Sequence, residues 1–247
     1  MLVAIVNATL SPKAQRRLEQ DAAVVSFLTS QASIPLPLRG HADLFLCTVG
    51  SILVAAPNTP DKVLRDLSDV GVTPLEGATV VDGSLPSLAA YNIAVGSQWV
   101  VGKQSWADPM VARLTSDRTW VDVRQGLARC STLPLGSAAL TSDGGIAQAL
   151  HRHHIPHLLI SQQQILLPGY SCGCLGGCCG IAEGRLYVVG RLSTHPQGEH
   201  LRRQASALEL EVVELGDTPL TDVGSILFVS SLDASTSNPA HDTPSIR

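Results

Sequence analysis

Five times along this chain a glycine punctuates apolar, strand-forming residues: Gly50, Gly96, Gly136, Gly184 and Gly224. The segments they open read GSILVAA, GSQWVVG, GSAALTS, GRLYVVG and GSILFVS, and successive glycines stand 46, 40, 48 and 40 residues apart. A period of this length marks one supersecondary unit used repeatedly, each copy burying its apolar face only against its neighbours.

Strand-like runs flank each glycine, as in DLFLCTV-G-SILVAA and AYNIAV-G-SQWVVG, the pattern of a hairpin whose turn needs a positive-φ residue. A helix-start signal follows: Thr59-Pro60 before DKVLRDLSD, Asp108-Pro109 before MVARL, Ser142-Asp143 before GGIAQALHRHH, and Thr194 with Pro196 before GEHLRRQASAL. GVTPLE, WVDVR, HLLIS and LEVVEL then read as closing strands, so the unit is strand, strand, helix, strand. After Gly224 no helix follows, because residues 233–247 are polar, proline-containing and tail-like. The missing parts stand at the other end, where Ser11-Pro12 starts a helix in SPKAQRRLEQ and AAVVSFL follows as a strand. The expectation is a single α/β domain over residues 1–232, a five-fold pseudosymmetric ring with helices outside, its last unit closed by the N-terminal strand and helix, and a disordered tail over residues 233–247.

Such a ring resembles the pentein superfold, the architecture of guanidino-group-modifying enzymes and of the translation initiation factor that keeps large ribosomal subunits apart. The resemblance extends to two motifs. His41-Ala42-Asp43 looks like the H-x-D element of guanidino hydrolases, which implies His41 as acid/base and Asp43 as a carboxylate gripping the guanidinium; in an alternating strand the two would share a face. Gly176-Gly177-Cys178-Cys179-Gly180 is similar to the glycine-rich run carrying the nucleophilic cysteine, which implies Cys178 or Cys179 as the attacking thiolate and leaves the choice between them open. Asn92, Asp143 and Asp222, each from a different unit, are further candidates for lining the channel and binding a cation. Asp143 also reads as a helix cap and Asp222 as a turn former. His195, before Pro196, is a candidate second proton carrier or an ordinary helix-start residue.

Composition narrows the partners. With 45% hydrophobic and 15% charged residues the chain buries much of itself, and a net charge of −4 without a basic cluster gives no footprint for nucleic acid. No apolar run reaches the roughly 20 residues that span a bilayer, so the expected address is cytoplasmic. Cys172-x-Cys174 followed by Cys178-Cys179 is too compressed for a zinc site, and the His-rich HRHHIPH stretch reads as a solvated helix C-terminus, so no metal and no cofactor are expected. The leading expectation is a hydrolase or transferase acting on a guanidino or amidino carbon of a small cationic substrate. The alternative is a non-catalytic ring that binds a protein or ribosomal partner through one rim.

Overall fold

In a computed structural model of the protein, residues 1–231 are described; the expected C-terminal tail lies outside them. The chain opens with β1 (Leu2–Asn7), α1 (Pro12–Leu18) and β2 (Ala23–Phe27). β3 (Leu46–Val49), β4 (Ile52–Ala55), α2 (Asp61–Asp69) and β5 (Leu75–Glu76) follow as the first complete unit. The second is introduced by a short helix, α3 (Leu85–Ala89), and holds β6 (Ala94–Val95), β7 (Trp99–Gly102), α4 (Pro109–Leu114) and β8 (Thr119–Asp122). A single-turn helix, α5 (Ala128–Ser131), leads into β9 (Thr132–Leu135), β10 (Ala138–Thr141), α6 (Gly144–Arg152) and β11 (His157–Leu159). The fourth unit comprises β12 (Cys179–Ala182), β13 (Arg185–Val189), α7 (Gly198–Ala207) and β14 (Glu211–Leu215), and β15 (Leu227–Ser230) ends the described chain.

These strands form five separate three-stranded sheets, ordered β15-β1-β2, β3-β4-β5, β6-β7-β8, β9-β10-β11 and β12-β13-β14. In every sheet the middle strand runs antiparallel to the first and parallel to the third, and the parallel step is made through a helix. The first strands face inward: β15 packs on β3, β6 on β9, β9 on β12 and β12 on β15. The helices lie outside and lean across the joints, α1 on β14, α2 on β2, α4 on β3 and α6 on β8. α6 shows how local sequence achieves this. Asp143 caps it by accepting from the Ile146 amide at 2.8 Å, and Ile146, Ala147, Ala149 and Leu150 put one apolar stripe into the joint. Each large apolar side chain so buried contributes about 1.5–3 kcal/mol.

The expected unit holds, with two corrections to the glycines, the first being that Gly96 lies in the connection between Val95 and Trp99 without a positive φ. Gly50 and Gly136 open two-residue hairpin turns at φ +62° and +61°, and Gly184 completes one at φ +71° after Glu183. Gly224 also has positive φ, +78°, but it turns no hairpin. It precedes the inner strand of its blade, and β15 pairs instead with β1, Leu2 opposite Ser230, so the two ends of the described residues stand where the other blades have a turn. The Ser231 amide donates to the Met1 carbonyl at 2.8 Å, closing the ring. Among the described residues no helix is long and apolar enough to cross a membrane.

Candidate active site

Just ahead of each inner strand the chain makes a short irregular passage, and these five passages meet on the ring axis. In the first, Ala42–Leu44 form one turn of 3-10 helix with His41 at its start. His41 and Asp43 therefore converge through a turn and not through the strand alternation expected. The second brings Asn92, the third Cys130 on α5, the fourth the Gly176–Cys178 turn, and the fifth Asp222 and Ser225.

His41, Asp43, Asn92, Cys130, Asp222 and Ser225 are all buried. Cys130 Sγ donates to Asp43 Oδ2 at 3.0 Å, and Ser225 Oγ donates to the same oxygen at 2.6 Å. Asn92 Nδ2 donates to Cys130 Sγ at 3.2 Å and to the Asp43 carbonyl at 3.3 Å, while its Oδ1 accepts from the Arg129 and Cys130 amides at 2.8 and 3.1 Å. One side chain thus fixes both the position of the thiol and a donor toward its sulfur. Asp222 is aimed by backbone: its Oδ2 accepts from the Cys174 amide at 2.9 Å and its Oδ1 from the Gly224 amide at 3.0 Å.

His41 lies between the carboxylates, Nδ1 4.0 Å from Asp43 Oδ1 and Nε2 3.9 Å from Asp222 Oδ1. Both separations exceed a hydrogen bond. His41 Nδ1, His41 Nε2 and Asp43 Oδ1 consequently have no partner within the protein although all three are buried. The open Asp43 oxygen and the unprotonated nitrogen of a neutral His41 ring suit a ligand rich in N–H donors. Space for the cluster comes from glycine: a Cβ on Gly177 would lie 1.9 Å from Asp222 Oδ1, and one on Gly224 only 2.3 Å from His41 Cα.

Burial pushes the Cys130 thiol well above its ordinary range, and the charges of Asp43 and Asp222 push it further. Burial likewise raises the Asp222 carboxyl, with His41 opposing and Asp43 reinforcing the rise. The free protein therefore holds Cys130 as a thiol, and positive charge placed among these groups would favour the thiolate.

The other sequence candidates stand elsewhere. Cys178 and Cys179 are buried in apolar packing with Leu133, Leu175, Leu186 and Val188; the Cys178 thiol donates to the Cys174 carbonyl at 3.2 Å. Burial raises both thiols, Cys179 to about 12. His195 spends its ring locally, Nε2 3.0 Å from the Ser161 carbonyl and Nδ1 accepting from the Gln197 amide at 3.1 Å. Asp143 is the cap of α6. Cys130 and Ser225, by contrast, join the cluster without having been singled out. The signal available for Cys130 was positional, since it stands before an inner strand as Asn92 and Asp43 do.

His41, Asp43 and Cys130 offer donor atoms within 4.8 Å of one another, a set of the type that can also hold a metal ion. Among the described residues no other group of three or more such residues comes so close, the Cys172–Cys179 run included. A cavity of about 720 Å³ adjoins the cluster at Asp222, with Asn7, Thr29, Arg39 and Leu167 among its walls.

Five mixed three-stranded blades around a buried polar axis define a pentein-type ring. Solved structures share it, two of them as follows. DDAH from Pseudomonas aeruginosa, a cysteine-to-serine mutant complexed with citrulline, is 11% identical over 88% of this chain and 91% of that one, with a TM-score of 0.50. Agmatine deiminase from C. jejuni is 8% identical over 87% of this chain and 86% of that one, with a TM-score of 0.51. Within that fold the chain belongs to DUF6873, described as a family of unknown function, whose family model matches residues 5–227. Among curated proteins none matches the chain in sequence.

Proposed function

We propose that the protein is a thiol-dependent enzyme acting on a guanidino or amidino carbon, with Cys130 in place of Cys178 or Cys179 as the nucleophile. The observation that carries this reading is the convergence of Cys130 Sγ, the Asp43 carboxylate and the His41 ring within 4.8 Å on the ring axis. Support comes from the fold neighbours, one complexed with citrulline and the other an agmatine deiminase.

In this mechanism Asp43 Oδ1 and Asp222 accept from the substrate's N–H groups, and the adjoining cavity takes the rest of the molecule. The arriving cation offsets the carboxylates that keep Cys130 protonated, and the thiol proton passes to His41. The thiolate adds to the planar carbon; His41 returns the proton to the departing amine as the C–N bond breaks, leaving an amidino group on sulfur. Water, deprotonated by His41, then adds to that carbon, and cleavage of the C–S bond frees a urea-type product and restores the thiol. Asn92 holds the sulfur in line, and Ser225 steadies the Asp43 oxygen that faces away from the substrate. The protein-binding alternative gains nothing from this cluster.

The test is ammonia or amine release from a panel of arginine, agmatine and simple alkylguanidines. Cys130→Ser is expected to abolish turnover, while Cys178→Ser and Cys179→Ser keep it within about tenfold. Turnover surviving in Cys130→Ser, or its loss in both of the other variants with Cys130 intact, would overturn the assignment.

A further inference from the structure

At the end of the axis away from the cluster, the hairpin turns of three blades ring a second cavity of about 340 Å³. Arg118 and Arg129 both line it, with Thr48 and Ser97, and no acidic side chain is among its walls. Nor do His41, Asp43, Cys130 or Asp222 reach it. Arg129 is 7% exposed, and within the described residues it makes no ion pair. Its Nη1 donates to the Gly176 and Thr132 carbonyls at 3.0 and 3.4 Å and its Nη2 to the Cys179 carbonyl at 3.3 Å. A guanidinium has five N–H groups, so Nε–H and one Nη2–H remain without an acceptor. Arg118 spends one donor on the Gly96 carbonyl, at 2.9 Å, and is likewise unpaired with any acid among the described residues.

A desolvated cation without an ion-paired partner is costly, and carbonyl dipoles offset only part of that cost. Burial does pull Arg129 below the usual guanidinium range, although Asp43, on the other side, pulls the opposite way. What the cavity lacks is negative charge, and the fork of unused N–H donors matches the paired oxygens of a carboxylate or phosphate.

We infer that this turn-side mouth of the ring is an oxyanion-binding site, with Arg129 as its floor and Arg118 in its wall, taking a small metabolite that carries a phosphate or carboxylate group. Arg129 is adjacent in sequence to Cys130, and Asn92 clasps both of their amides, so the site sits back to back with the thiol while sharing no lining residue with it.

Thermal unfolding of the full chain, titrated with inorganic phosphate and separately with acetate against chloride at matched ionic strength, tests this. A saturable rise in Tm with phosphate or acetate is expected, and the stronger of the two identifies the preferred group. Arg118→Gln, a half-buried wall position, should raise the half-saturating concentration at least about tenfold, the loss of one charge-assisted pair. Ser97→Asp, which places a carboxylate at the mouth, should blunt the response. Cys130→Ser should leave it intact, so that a failed catalytic assignment and a failed anion site give different results. Absence of any saturable response to either anion, or an equal response in Arg118→Gln, would overturn the inference.

Discussion

At the scale of single residues, the centre depends on one neutral side chain between charged ones. Asn92 fills four hydrogen bonds from a fully buried position, one of them from the Cys130 amide, which has no other acceptor among the described residues, whereas the Arg129 amide also reaches the Asn92 main-chain carbonyl at 3.2 Å. Asn92→Ala should cost about 1–3 kcal/mol in urea denaturation, the cost of leaving the one buried Cys130 amide unsatisfied. It should also slow iodoacetamide labelling of Cys130 and move its pH profile upward, because the donor facing the sulfur is gone; unchanged labelling would reduce Asn92 to a packing residue. The other thiols predict a second pH effect. Burial holds Cys47 and Cys179 at about 12 against 9.0 in an open chain. Below pH 9 both states keep the proton and stability is unaffected; above it the unfolded chain loses a proton that the folded one retains. Stability should therefore fall between pH 9 and 12, by up to about 1.4 kcal/mol per pH unit for each such thiol. Cys47→Ala should show a shallower decline. His41, Asp43, Asn92 and Asp222 were legible in the sequence as candidates because each stands just before a strand-like run; Cys130 stands before β9 in the same way, but on a single helical turn, ARCS, that carries no start signal. The glycine-flanked doublet drew attention away from it, and parity arguments do not reach residues outside strands.

At the scale of elements, α1, α2, α4 and α6 were readable because each opens on a capping residue or proline and then runs at helical spacing, as α1 does from Ser11 and Pro12, whereas α7 starts behind an uncapped Gln197 and was readable from its spacing after Pro196. Strands were overestimated where tertiary contacts cut them short: GVTPLE supplies only Leu75–Glu76 to its sheet. The equal-looking glycines proved unequal, and substitution separates them. A Cβ on Gly136 meets nothing within 4 Å, so Gly136→Ala should cost only the strain of a positive φ, about 1–2 kcal/mol, with catalysis unchanged. On Gly224 the same methyl would lie 2.3 Å from His41 Cα and 2.4 Å from its Cβ. Gly224→Ala should therefore displace the imidazole and remove turnover as well as stability, and denaturation curves paired with rate measurements will show whether the two variants part in this way.

For the whole molecule, the decisive contact is the one between its first and last described strands. β1 and β15 are some of the most distant segments in sequence, yet four residue pairs join them and the blade they make supplies Asp222 and Ser225 to the axis. Pairing so remote carries a large loop-closure cost and comes late by the usual relation between contact order and folding rate. The blade is nonetheless the same unit as the other four, cut open where they have a hairpin turn. If the cut is incidental to the architecture, it can be moved. A permuted chain that joins Ser231 to Met1 through a short Gly/Ser linker, omits residues 232–247 and opens at the Gly50–Ser51 turn should fold to a monomer of similar stability, within about 2 kcal/mol by urea denaturation. Its centre should keep Cys130 beside His41 and Asp43, since none of the three lies at the new opening, and native labelling of Cys130 should match that of the unpermuted chain. A permutant that folds while leaving Cys130 freely labelled would mean that the blade built from the two ends holds the site together through its open seam, and not through the ring it completes.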